Sequence, residues 1–314
     1  MKQRLIAVAG PTASGKTSLA IALAKHWNGE VISADSMQVY RGMDIGTAKV
    51  TTEEMQGVPH HLIDILDPKE EWNVMRFRQM AEEAIQDIIS RGKMPVICGG
   101  TGFYLRALLY DARFDEEEGQ PELRIQLEEE MRQFGPEEMH ARLQAVDSVS
   151  ARLIHPNNQK RVIRALEYYQ LHHRPISDHN EEQKQRESRY DFVLLGISMD
   201  REKLYHRIDT RVDQMVRDGL KEEVQKLLAD GLPAEATAMQ GLGYKEWLPC
   251  LEGLVSEEET IRILKRDTRH FAKRQLTWFR AEPEMIWLDG EQGAEAVIAQ
   301  ADDIIRRRFC EKHG

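Results

Sequence analysis

AGPTASGKT, residues 9–17, follows the apolar run LIAV and directly precedes the helix-like sequence SLAIALAKHW. The stretch matches the phosphate-binding pattern GxxxxGK(S/T) at Gly10, Gly15, Lys16 and Thr17, in the strand, loop and helix context that the pattern requires. In such a loop the glycines let backbone N–H groups approach phosphate oxygens, the lysine neutralises charge, and the threonine hydroxyl can ligate magnesium. The sequence therefore predicts that residues 10–17 bind phosphate groups and that Thr17 is a ligand of Mg²⁺. The weaker alternative is a glycine-rich turn without a ligand.

The composition is typical of a globular protein that is not embedded in a membrane. Hydrophobic residues make up 41% of the 314 residues and charged residues 31%, and no apolar run approaches the roughly 20 residues that span a bilayer. The first residues lack the longer apolar stretch and cleavage site of a secretory signal. Cys98, Cys250 and Cys310 lie far apart and have neither disulfide nor zinc spacing. We therefore expect a cytoplasmic protein, a monomer, without a membrane partner.

The charges are unevenly distributed along the chain. A net charge of −10 argues, taken alone, against a nucleic-acid partner, because phosphate contacts require clustered Lys and Arg. Acid-rich tracts at 115–122 and 256–259 account for much of this charge, whereas residues 262–280 contain seven Lys or Arg and only one Asp. A basic surface can therefore exist on this acidic chain.

Strand-like runs alternate with helix-like segments along most of the chain, which predicts an α/β fold with a parallel sheet. The section from about 112 to 185 differs, because it contains helical stretches and few strand candidates. We therefore predict a P-loop-containing parallel sheet core, formed by residues 1–112 and 186–314, with a helical insertion domain at 113–185. The predicted strands are 4–9, 30–35, 60–66, 94–100, 190–198 and 285–289, and the predicted helices include 17–26, 73–91, 200–216 and 256–280.

Two polar residues follow predicted strands at the sheet edge where the phosphate loop lies. A P-loop kinase or hydrolase usually has an Asp after a second apolar strand to hold magnesium. Here the run PVIC ends in Gly99-Gly100-Thr101, and the acid instead follows VISA as Asp35. Asp35 can ligate metal, act as a general base or cap the next turn, and the Thr101 hydroxyl can cap a helix or contact a phosphate. Two glycine turns at the same edge of a parallel sheet face each other across the crevice where ligands bind. This position favours a role in ligand binding or catalysis for both Asp35 and Thr101.

Two basic strips suggest an RNA partner. Cations suit phosphates and aromatic rings suit unstacked bases of single-stranded or looped RNA. A solvated helix face with its aromatic residues in the core is the equally weighted alternative for the first strip. That strip lies on the helix 256–280, which opens with a predicted capping box of Ser256 and Glu259. Its residues are Arg262, Arg266, Arg269, Lys273 and Arg280 with His270, Trp278 and Phe279, and the second strip is Gln159, Lys160, Arg161 and Arg164 with His172, His173 and Arg174.

The pair His60-His61 opens a predicted strand and could suggest a metal site. No third ligand is evident in the sequence, and adjacent strand residues point to opposite faces of a sheet. We therefore predict a structural role for both histidines.

Eight segments form an ordered set along the chain: GPTASGKT (10–17), DSMQVY (35–40), GTAK (46–49), PHHLIDILDP (59–68), GGTGFY (99–104), HPNNQKRVIRALE (155–167), GLGYKE (241–246) and RQLTWFR (274–280). Together they closely resemble the tRNA dimethylallyltransferase family, the isopentenyl-diphosphate:tRNA transferases. The matches cover nearly the whole chain, and although the phosphate loop alone is generic, the ordered set is highly specific. The resemblance is to the short, bacterial-type members, since the chain lacks the Cys/His spacing of the zinc finger that some longer members carry.

The resemblance implies transfer of a dimethylallyl group from dimethylallyl diphosphate to N6 of the adenosine directly 3′ of the anticodon in tRNA, with Mg²⁺ as cofactor. It implies that Asp35 is the general base, that Thr101 contacts the reacting centre and that Arg211 clamps the diphosphate, whose developing charge Lys16 stabilises. The insertion domain is expected to grip the anticodon stem-loop. The implied diphosphate-binding residues are Gly10, Pro11, Thr12, Ala13, Ser14, Gly15, Lys16 and Thr17. The implied tRNA-binding residues are Asp35, Ser36, Met37, Gln38, Thr101, Gln159, Lys160, Arg161, Val162 and Ile163, with Arg124 and 240–245 as weaker candidates.

Two rival functions stay open on the sequence. A P-loop kinase acting on a small metabolite predicts turnover of ATP, but the missing Asp after PVIC counts against it. A non-catalytic RNA-binding protein that uses the loop as a nucleotide sensor leaves Asp35 and Thr101 without a reason to lie at the mouth of the loop.

Overall fold

The computed structural model describes residues 2–110, 121–184 and 187–310. It divides into two compact units. Unit 1 comprises Met1–Leu109 and Arg189–Gly314, and unit 2 comprises Tyr110–Ser188. The domain boundaries expected at 112/113 and 185/186, and most of the acidic tract 115–122, lie outside the described residues.

Six strands of unit 1 form one parallel sheet, which confirms the predicted α/β class. They are β1 (Gln3–Ala9), β2 (Gly29–Ser33), β3 (His60–His61), β4 (Met94–Gly99), β5 (Tyr190–Ser198) and β6 (Met285–Asp289). Their order across the sheet is β3-β2-β4-β1-β5-β6, so the strand that leads into the phosphate loop lies in the interior.

Helices connect the strands of unit 1 and make up unit 2. In chain order, the described α-helices are α1 (Lys16–His26), α2 (Thr52–Met55), α3 (Val74–Ser90), α4 (Gly102–Leu109), α5 (Pro121–Val146), α6 (Ser148–Leu153), α7 (Gln159–His172), α8 (Ile176–Lys184), α9 (Arg201–Arg217), α10 (Leu220–Ala229), α11 (Leu248–Leu251), α12 (Glu257–Arg280) and α13 (Ala294–Phe309). Of these, α5 to α8 belong to unit 2.

The interior strands are buried, and the loops that follow them lie at one edge of the sheet. Residues 5–9 of β1 are completely buried, as expected for an interior strand of a parallel sheet that is covered on both faces. On one face, Ile6 and Val8 pack with apolar residues of α1 and α13. The carboxyl ends of β1, β2 and β4 therefore meet at one edge, where the chain continues as the loops around 10–15, 34–38 and 100–101.

The predicted strand 60–66 is wrong beyond its first two residues. Only His60 and His61 pair with the sheet. Leu62 and Asp64 have left-handed backbone angles, with φ of 61° and 55°, so the chain turns away where the apolar run predicted a continuing strand.

Both histidines of β3 have protein partners, in agreement with a structural role. The Nδ1 atom of His60 lies 2.8 Å from the Val58 carbonyl oxygen, and Nε2 of His61 lies 2.7 Å from the Glu30 carboxylate. No group of three His, Cys, Asp or Glu side chains that could hold a metal occurs within residues 2–110, 121–184 and 187–310.

Helix starts follow their sequence signals, with one partial exception. The Asn73 side chain accepts a hydrogen bond from the Arg76 amide, as predicted for the N-cap of α3. At the start of α12, the Ser256 hydroxyl accepts a hydrogen bond from the Glu259 amide at 3.2 Å. The Glu259 side chain, however, accepts from Arg262 instead of from the Ser256 amide, so the predicted capping box is half formed.

The described part of unit 2 is helical, as predicted for this section. Gly135 interrupts α5 with a φ of 79°, and Pro136 follows it, so two helical segments are joined at a kink. The apolar residues that α5, α6 and α7 share form the core of this unit, including Leu127, Met139 and Val162.

Candidate active site

The phosphate loop turns from β1 into α1 with its amides exposed to a ligand. Gly15 precedes the helix with a φ of 94°, a left-handed conformation that glycine adopts without strain. In the part of the chain that the structure describes, the amides of Gly15, Lys16 and Thr17 have no hydrogen-bond acceptor. Free amides at a helix N-terminus favour an anion, so the predicted phosphate loop has the conformation that its function requires.

Lys16 projects into this loop. Its ammonium group donates a hydrogen bond to the Pro11 carbonyl oxygen at 3.3 Å. Burial lowers the pKa of Lys16, while the Asp35 carboxylate acts in the opposite direction. A phosphate placed against the loop would supply the anion that this buried cation lacks.

The predicted catalytic residues share one cavity of about 420 Å³ in unit 1. Lys16, Asp35, Thr101 and Arg211 come from four different segments, and all four line this cavity. The other predicted residues that line it are Thr12, Thr17, Ser36, Met37 and Gln38, together with 240–243 of the weaker candidate segment.

A second cavity of about 340 Å³ lies on the phosphate-loop side. Lys16, Thr17 and Arg211 line both cavities, so the two meet at the loop. Arg207, which the sequence analysis missed, also lines the second cavity. Its spacing from Arg211 was the available signal, because residues four apart share one face of a helix.

Asp35 caps the turn after β2, which is one of the roles that the sequence left open. Its Oδ1 atom accepts hydrogen bonds from the amides of Met37 at 2.8 Å and Gln38 at 3.3 Å, so the carboxylate caps the turn after β2. Within the described residues, Oδ2 has no hydrogen-bond donor, and the residue lines the larger cavity. Capping therefore orients the carboxylate and leaves one oxygen for a ligand.

Thr101 presents its hydroxyl in the same cavity. Its backbone carbonyl accepts hydrogen bonds from the amides of Tyr104 and Leu105, which starts α4. The hydroxyl forms no hydrogen bond to another described residue, so of the two alternatives left open for Thr101 the side-chain cap is not formed. This leaves the hydroxyl able to donate to a substrate oxygen.

Arg211 reaches the phosphate loop from α9. Its Nη1 atom donates to the Thr12 hydroxyl at 3.4 Å, and Nη2 donates to the Ala48 carbonyl at 3.5 Å. Burial lowers the pKa of Arg211, while Glu54 and Asp35 raise it. Both contacts are long and go to neutral groups, and no carboxylate among residues 2–110, 121–184 and 187–310 forms an ion pair with the guanidinium. This is expected of a group that binds an anionic ligand.

The end of β4 lacks the carboxylate of a nucleotide-hydrolysing P-loop enzyme. Cys98 stands there and lines the larger cavity. Burial raises the pKa of its thiol to about 11, so Cys98 is neutral at physiological pH and supplies no anionic metal ligand.

One wall of the larger cavity is apolar, which the sequence analysis did not predict. Its side chains come from α9, α12 and the segment after the short helix Thr237–Gln240, so no local pattern reveals them. They are Ile208, Val212, Met215, Leu242, Leu264 and Phe271.

Residues 46–48 form another part of the wall. The loop 44–48 to which they belong is held from two sides. The Glu223 carboxylate accepts hydrogen bonds from the amides of residues 44, 45 and 46 at 2.9, 2.8 and 3.1 Å. The Gln38 side-chain amide donates to the carbonyl oxygens of Thr47 and Ala48, both at 3.3 Å. Gln38 thus supports the cavity, and its side-chain nitrogen already has protein partners.

The candidate tRNA-binding residues of unit 2 differ in accessibility. Gln159, Lys160 and Arg161 are exposed in the first turn of α7. The side chains of Val162 and Ile163 are buried in the helical core, and the contact of this segment with tRNA stays a prediction. A sixth candidate, Arg124, lies 3.6 Å from the buried carboxylate of Glu167 and 3.7 Å from Glu128.

The basic and aromatic face predicted on α12 is largely engaged within unit 1. Arg262 pairs with Glu259, Arg266 with Asp267 and Arg269 with Asp209. Of the two rings, Phe279 is fully buried and Trp278 packs against Gly102. The structure therefore favours the alternative of a solvated helix face whose aromatic residues lie in the core.

No helix among the described residues is both long and apolar enough to cross a membrane.

Two family models match the chain: one described as IPP transferase matches residues 38–282, and one described as isopentenyl transferase matches residues 3–68. The tRNA dimethylallyltransferase of Lachnoclostridium phytofermentans is 54% identical over 91% of each chain, and that of Acetivibrio thermocellus is 50% identical over 92% of each.

Solved structures agree with these sequence matches. The tRNA delta(2)-isopentenylpyrophosphate transferase of Staphylococcus epidermidis has a TM-score of 0.73 and 46% identity, covering 98% of this chain and 100% of that one. A eukaryotic dimethylallyltransferase acting on tRNA has a TM-score of 0.81 and 32% identity, covering 98% of this chain and 80% of that one.

Proposed function

The chain belongs to the IPP transferase family, and we propose that it is a tRNA dimethylallyltransferase, which transfers the dimethylallyl group of dimethylallyl diphosphate to N6 of the adenosine directly 3′ of the anticodon. The bond between the allylic carbon and the diphosphate oxygen breaks, and its electron pair leaves with diphosphate. The same carbon forms a bond to the adenine nitrogen, which loses one proton. Residues around the two cavities can serve each of these events.

The phosphate loop and its neighbours are suited to bind the leaving diphosphate. The unpaired amides of residues 15–17 and the Lys16 ammonium provide donors, and Lys16 lines both cavities. Arg211 and Arg207 add positive charge from α9. Donors that are already in place stabilise charge as it develops on the leaving group, without reorganisation during the reaction.

Asp35 and Thr101 are suited to act on the acceptor side of the larger cavity. The exocyclic amine of adenine is a weak nucleophile, so a nearby carboxylate that accepts its proton assists the attack. Asp35 has one oxygen fixed by the turn, and its other oxygen has no donor in the part of the chain that the structure describes. The Thr101 hydroxyl can donate to the oxygen that leaves the allylic carbon, because it has no other acceptor within the described residues.

The apolar wall favours a substrate with a hydrocarbon group over the polar acceptor of a small-molecule kinase. Six apolar side chains, including Val212, Met215 and Phe271, line the cavity that also holds Asp35. An allylic group there loses contact with water, which protects the reacting carbon from hydrolysis. A small-molecule kinase would instead need polar groups for its acceptor, and Cys98 stands where a kinase of this fold has its metal-binding acid.

Magnesium is the cofactor that the donor set fits. The Thr17 hydroxyl at the start of α1 lines both cavities, and Mg²⁺ characteristically takes few protein ligands and completes its shell with substrate phosphates and water. When bound, magnesium neutralises negative charge on the diphosphate. Thr17 is therefore the residue proposed to hold it.

The first turn of α7 is the part of unit 2 best suited to contact the anticodon stem-loop. Lys160 and Arg161 are exposed, and the start of a helix adds free amides and a favourable dipole for phosphate. A base in a loop costs less to extrude from its stack than a paired base, so a loop adenosine suits an enclosed site.

The observation that supports this function most strongly is that Lys16, Asp35, Thr101 and Arg211 line one cavity with an apolar wall. The test is to incubate unmodified tRNA with dimethylallyl diphosphate and Mg²⁺ and to measure tRNA mass and released diphosphate. We expect one dimethylallyl group per tRNA and one diphosphate per group, without ATP. An unchanged tRNA mass with consumption of ATP would instead support the kinase, and binding of tRNA without any turnover would support the RNA-binding alternative.

A further inference from the structure

Gln275 of α12 joins the two glycine turns of the site. Its side-chain oxygen accepts a hydrogen bond from the Thr12 amide in the phosphate loop at 3.0 Å. Its side-chain nitrogen donates to the Gly100 carbonyl oxygen, one residue before Thr101, at 2.9 Å. The residue is only 7% exposed and lines the larger cavity.

The space around this bridge is closely fitted. A Cβ atom at Gly100 would lie 2.4 Å from the Gln275 nitrogen, so a side chain at this position would displace the end of Gln275. An amide side chain supplies the one acceptor and the donor that these two backbone groups require. Neither a carboxylate nor an apolar side chain of the same length can satisfy both.

The helix that carries Gln275 is itself fixed to the helix that carries Arg211. Arg269 of α12 pairs with Asp209 of α9 at 2.7 Å, and Lys265 pairs with Asp213 at 2.6 Å. Helix α12 therefore contacts the phosphate loop, the turn before Thr101 and the helix that carries Arg207 and Arg211.

We propose that Gln275 is a positioning residue for the transfer reaction, which sets the separation between the phosphate loop and the Thr101 turn so that Lys16 and Thr101 contact the same diphosphate. The proposal rests on the function proposed above. Gln275 binds two backbone groups on either side of the reaction centre, and it acts through Lys16 and Thr101. A loss of alignment near 1 Å can cost about 10²-fold in rate, so this bridge has a large expected effect.

The first variant removes both hydrogen bonds and keeps the length of the side chain. For Gln275→Met we expect kcat to fall by about 10- to 100-fold, with the KM for tRNA unchanged, because tRNA is also bound outside the two turns. Thr277→Ala is the matched control, since Thr277 is exposed on the same helix and bonds only to the Lys273 carbonyl. Thermal unfolding of each variant reports whether it is folded.

The second variant separates positioning from simple packing. Gln275→Glu keeps the acceptor for the Thr12 amide, but it donates to the Gly100 carbonyl only when its carboxyl is protonated. We therefore expect the ratio of its kcat to that of the wild type to increase as the pH is lowered from about 8 to about 5.5, since burial raises the pKa of a carboxyl. The titratable groups that line the same cavity, Lys16, Asp35, Cys98 and Arg211, are present in both proteins, so the ratio removes their common titration.

The outcomes are distinguishable. If the wild type transfers no dimethylallyl group, the proposed function fails before Gln275 is tested. If the wild type is active and Gln275→Met retains kcat within about twofold, the positioning role is wrong. If Gln275→Met does not fold, the pH-dependent ratio for Gln275→Glu decides, because a constant ratio contradicts the role and an increasing ratio supports it.

Discussion

The Tyr244 hydroxyl donates a hydrogen bond to the Glu223 carboxylate at 2.7 Å, and the same carboxylate accepts the three amides of residues 44–46. Tyr244 is completely buried, and a Cβ atom at Gly46 would lie 2.5 Å from its ring. One carboxylate therefore holds together two loops, 44–48 and 241–246, that contribute to the wall of the larger cavity.

Replacing this carboxylate should loosen the wall without unfolding unit 1. For Glu223→Ala we expect kcat to fall by about tenfold, because three amides and the Tyr244 hydroxyl lose their acceptor and the loops shift. Hydrogen exchange at the amides of 44–46 should become faster. Tyr244→Phe removes one hydrogen bond and should cost about 1 kcal/mol of unfolding free energy. Glu222→Ala, at the exposed neighbouring position, is the control, and equal exchange rates in the two alanine variants would disprove the anchor.

Lys16→Gln tests the phosphate loop. The variant removes a partly buried cation that lines both cavities, so kcat/KM should fall by about 10²- to 10³-fold, as for other groups that stabilise transition-state charge. Single-turnover rates with saturating donor separate loss of binding from loss of rate. Lys25→Gln, at the other end of α1, should remain active. Similar rates for the two variants would contradict a role for Lys16 in the reaction.

Asp35→Asn distinguishes a general base from a turn cap. An amide oxygen still accepts the hydrogen bonds from Met37 and Gln38, so the turn and tRNA binding should persist. The amide cannot accept a proton, so we expect turnover to fall by about 10²- to 10⁴-fold. Filter binding of tRNA and single-turnover transfer are the two measurements. Turnover near that of the wild type would leave Asp35 as a cap alone.

Lys160 and Arg161 should contribute to tRNA affinity and little to the chemistry. In the double variant Lys160→Gln, Arg161→Gln we expect the KM for tRNA to increase by about tenfold and the slope of log affinity against log salt to decrease by about 2. The KM for dimethylallyl diphosphate should not change. Arg142→Gln, which removes an arginine paired with Glu130, is the control in unit 2. An unchanged salt slope would exclude phosphate contacts at the start of α7.

Glu30 makes the stability of unit 1 pH-dependent. The residue is 2% exposed, and hydrogen bonds from Arg91 first, then from Lys93 and His61, hold the pKa of its carboxyl far below the usual range. Because the folded pKa is lower than the unfolded value of about 4.3, this stabilisation is complete above that pH and is lost as the pH falls below it.

The variant that tests the role of Glu30 in stability is Glu30→Gln. It leaves the partly exposed cations without their carboxylate, so we expect about 2 kcal/mol less unfolding free energy at neutral pH, between the values for exposed and buried pairs. The variant should also lose less stability than the wild type between about pH 5 and pH 3. Urea unfolding across this range checks both expectations, and parallel pH profiles would show that Glu30 is not the responsible group.

The features predicted from sequence are those with local patterns. The phosphate loop is one contiguous pattern, and the apolar runs of β1, β4 and β5 indicated buried parallel strands. The alternatives at Asp35 could not be separated by pattern, because its two oxygens have different roles: one caps the turn and the other has no donor among the described residues.

The features that sequence analysis missed depend on distant contacts. Gln275 lies 263 residues from Thr12 and 175 from Gly100, and Glu223 lies 179 from Asp44, so no spacing rule links them. The predicted strand at 60–66 failed for a different reason. Its apolar run resembles a strand, and the left-handed backbone at Leu62 has no sequence signal because Leu rarely adopts it, whereas Asp64 is of a type that adopts it more often.

Nucleoside analysis of the tRNA product shows directly whether this protein modifies the adenosine next to the anticodon. Unmodified tRNA is incubated with dimethylallyl diphosphate and Mg²⁺, digested to nucleosides and separately mapped by nuclease fragments. We predict N6-dimethylallyl adenosine in the fragment directly 3′ of the anticodon, in an amount equal to the diphosphate released. Absence of this nucleoside in tRNA that the protein demonstrably binds, or its formation at another position, would contradict the proposed function.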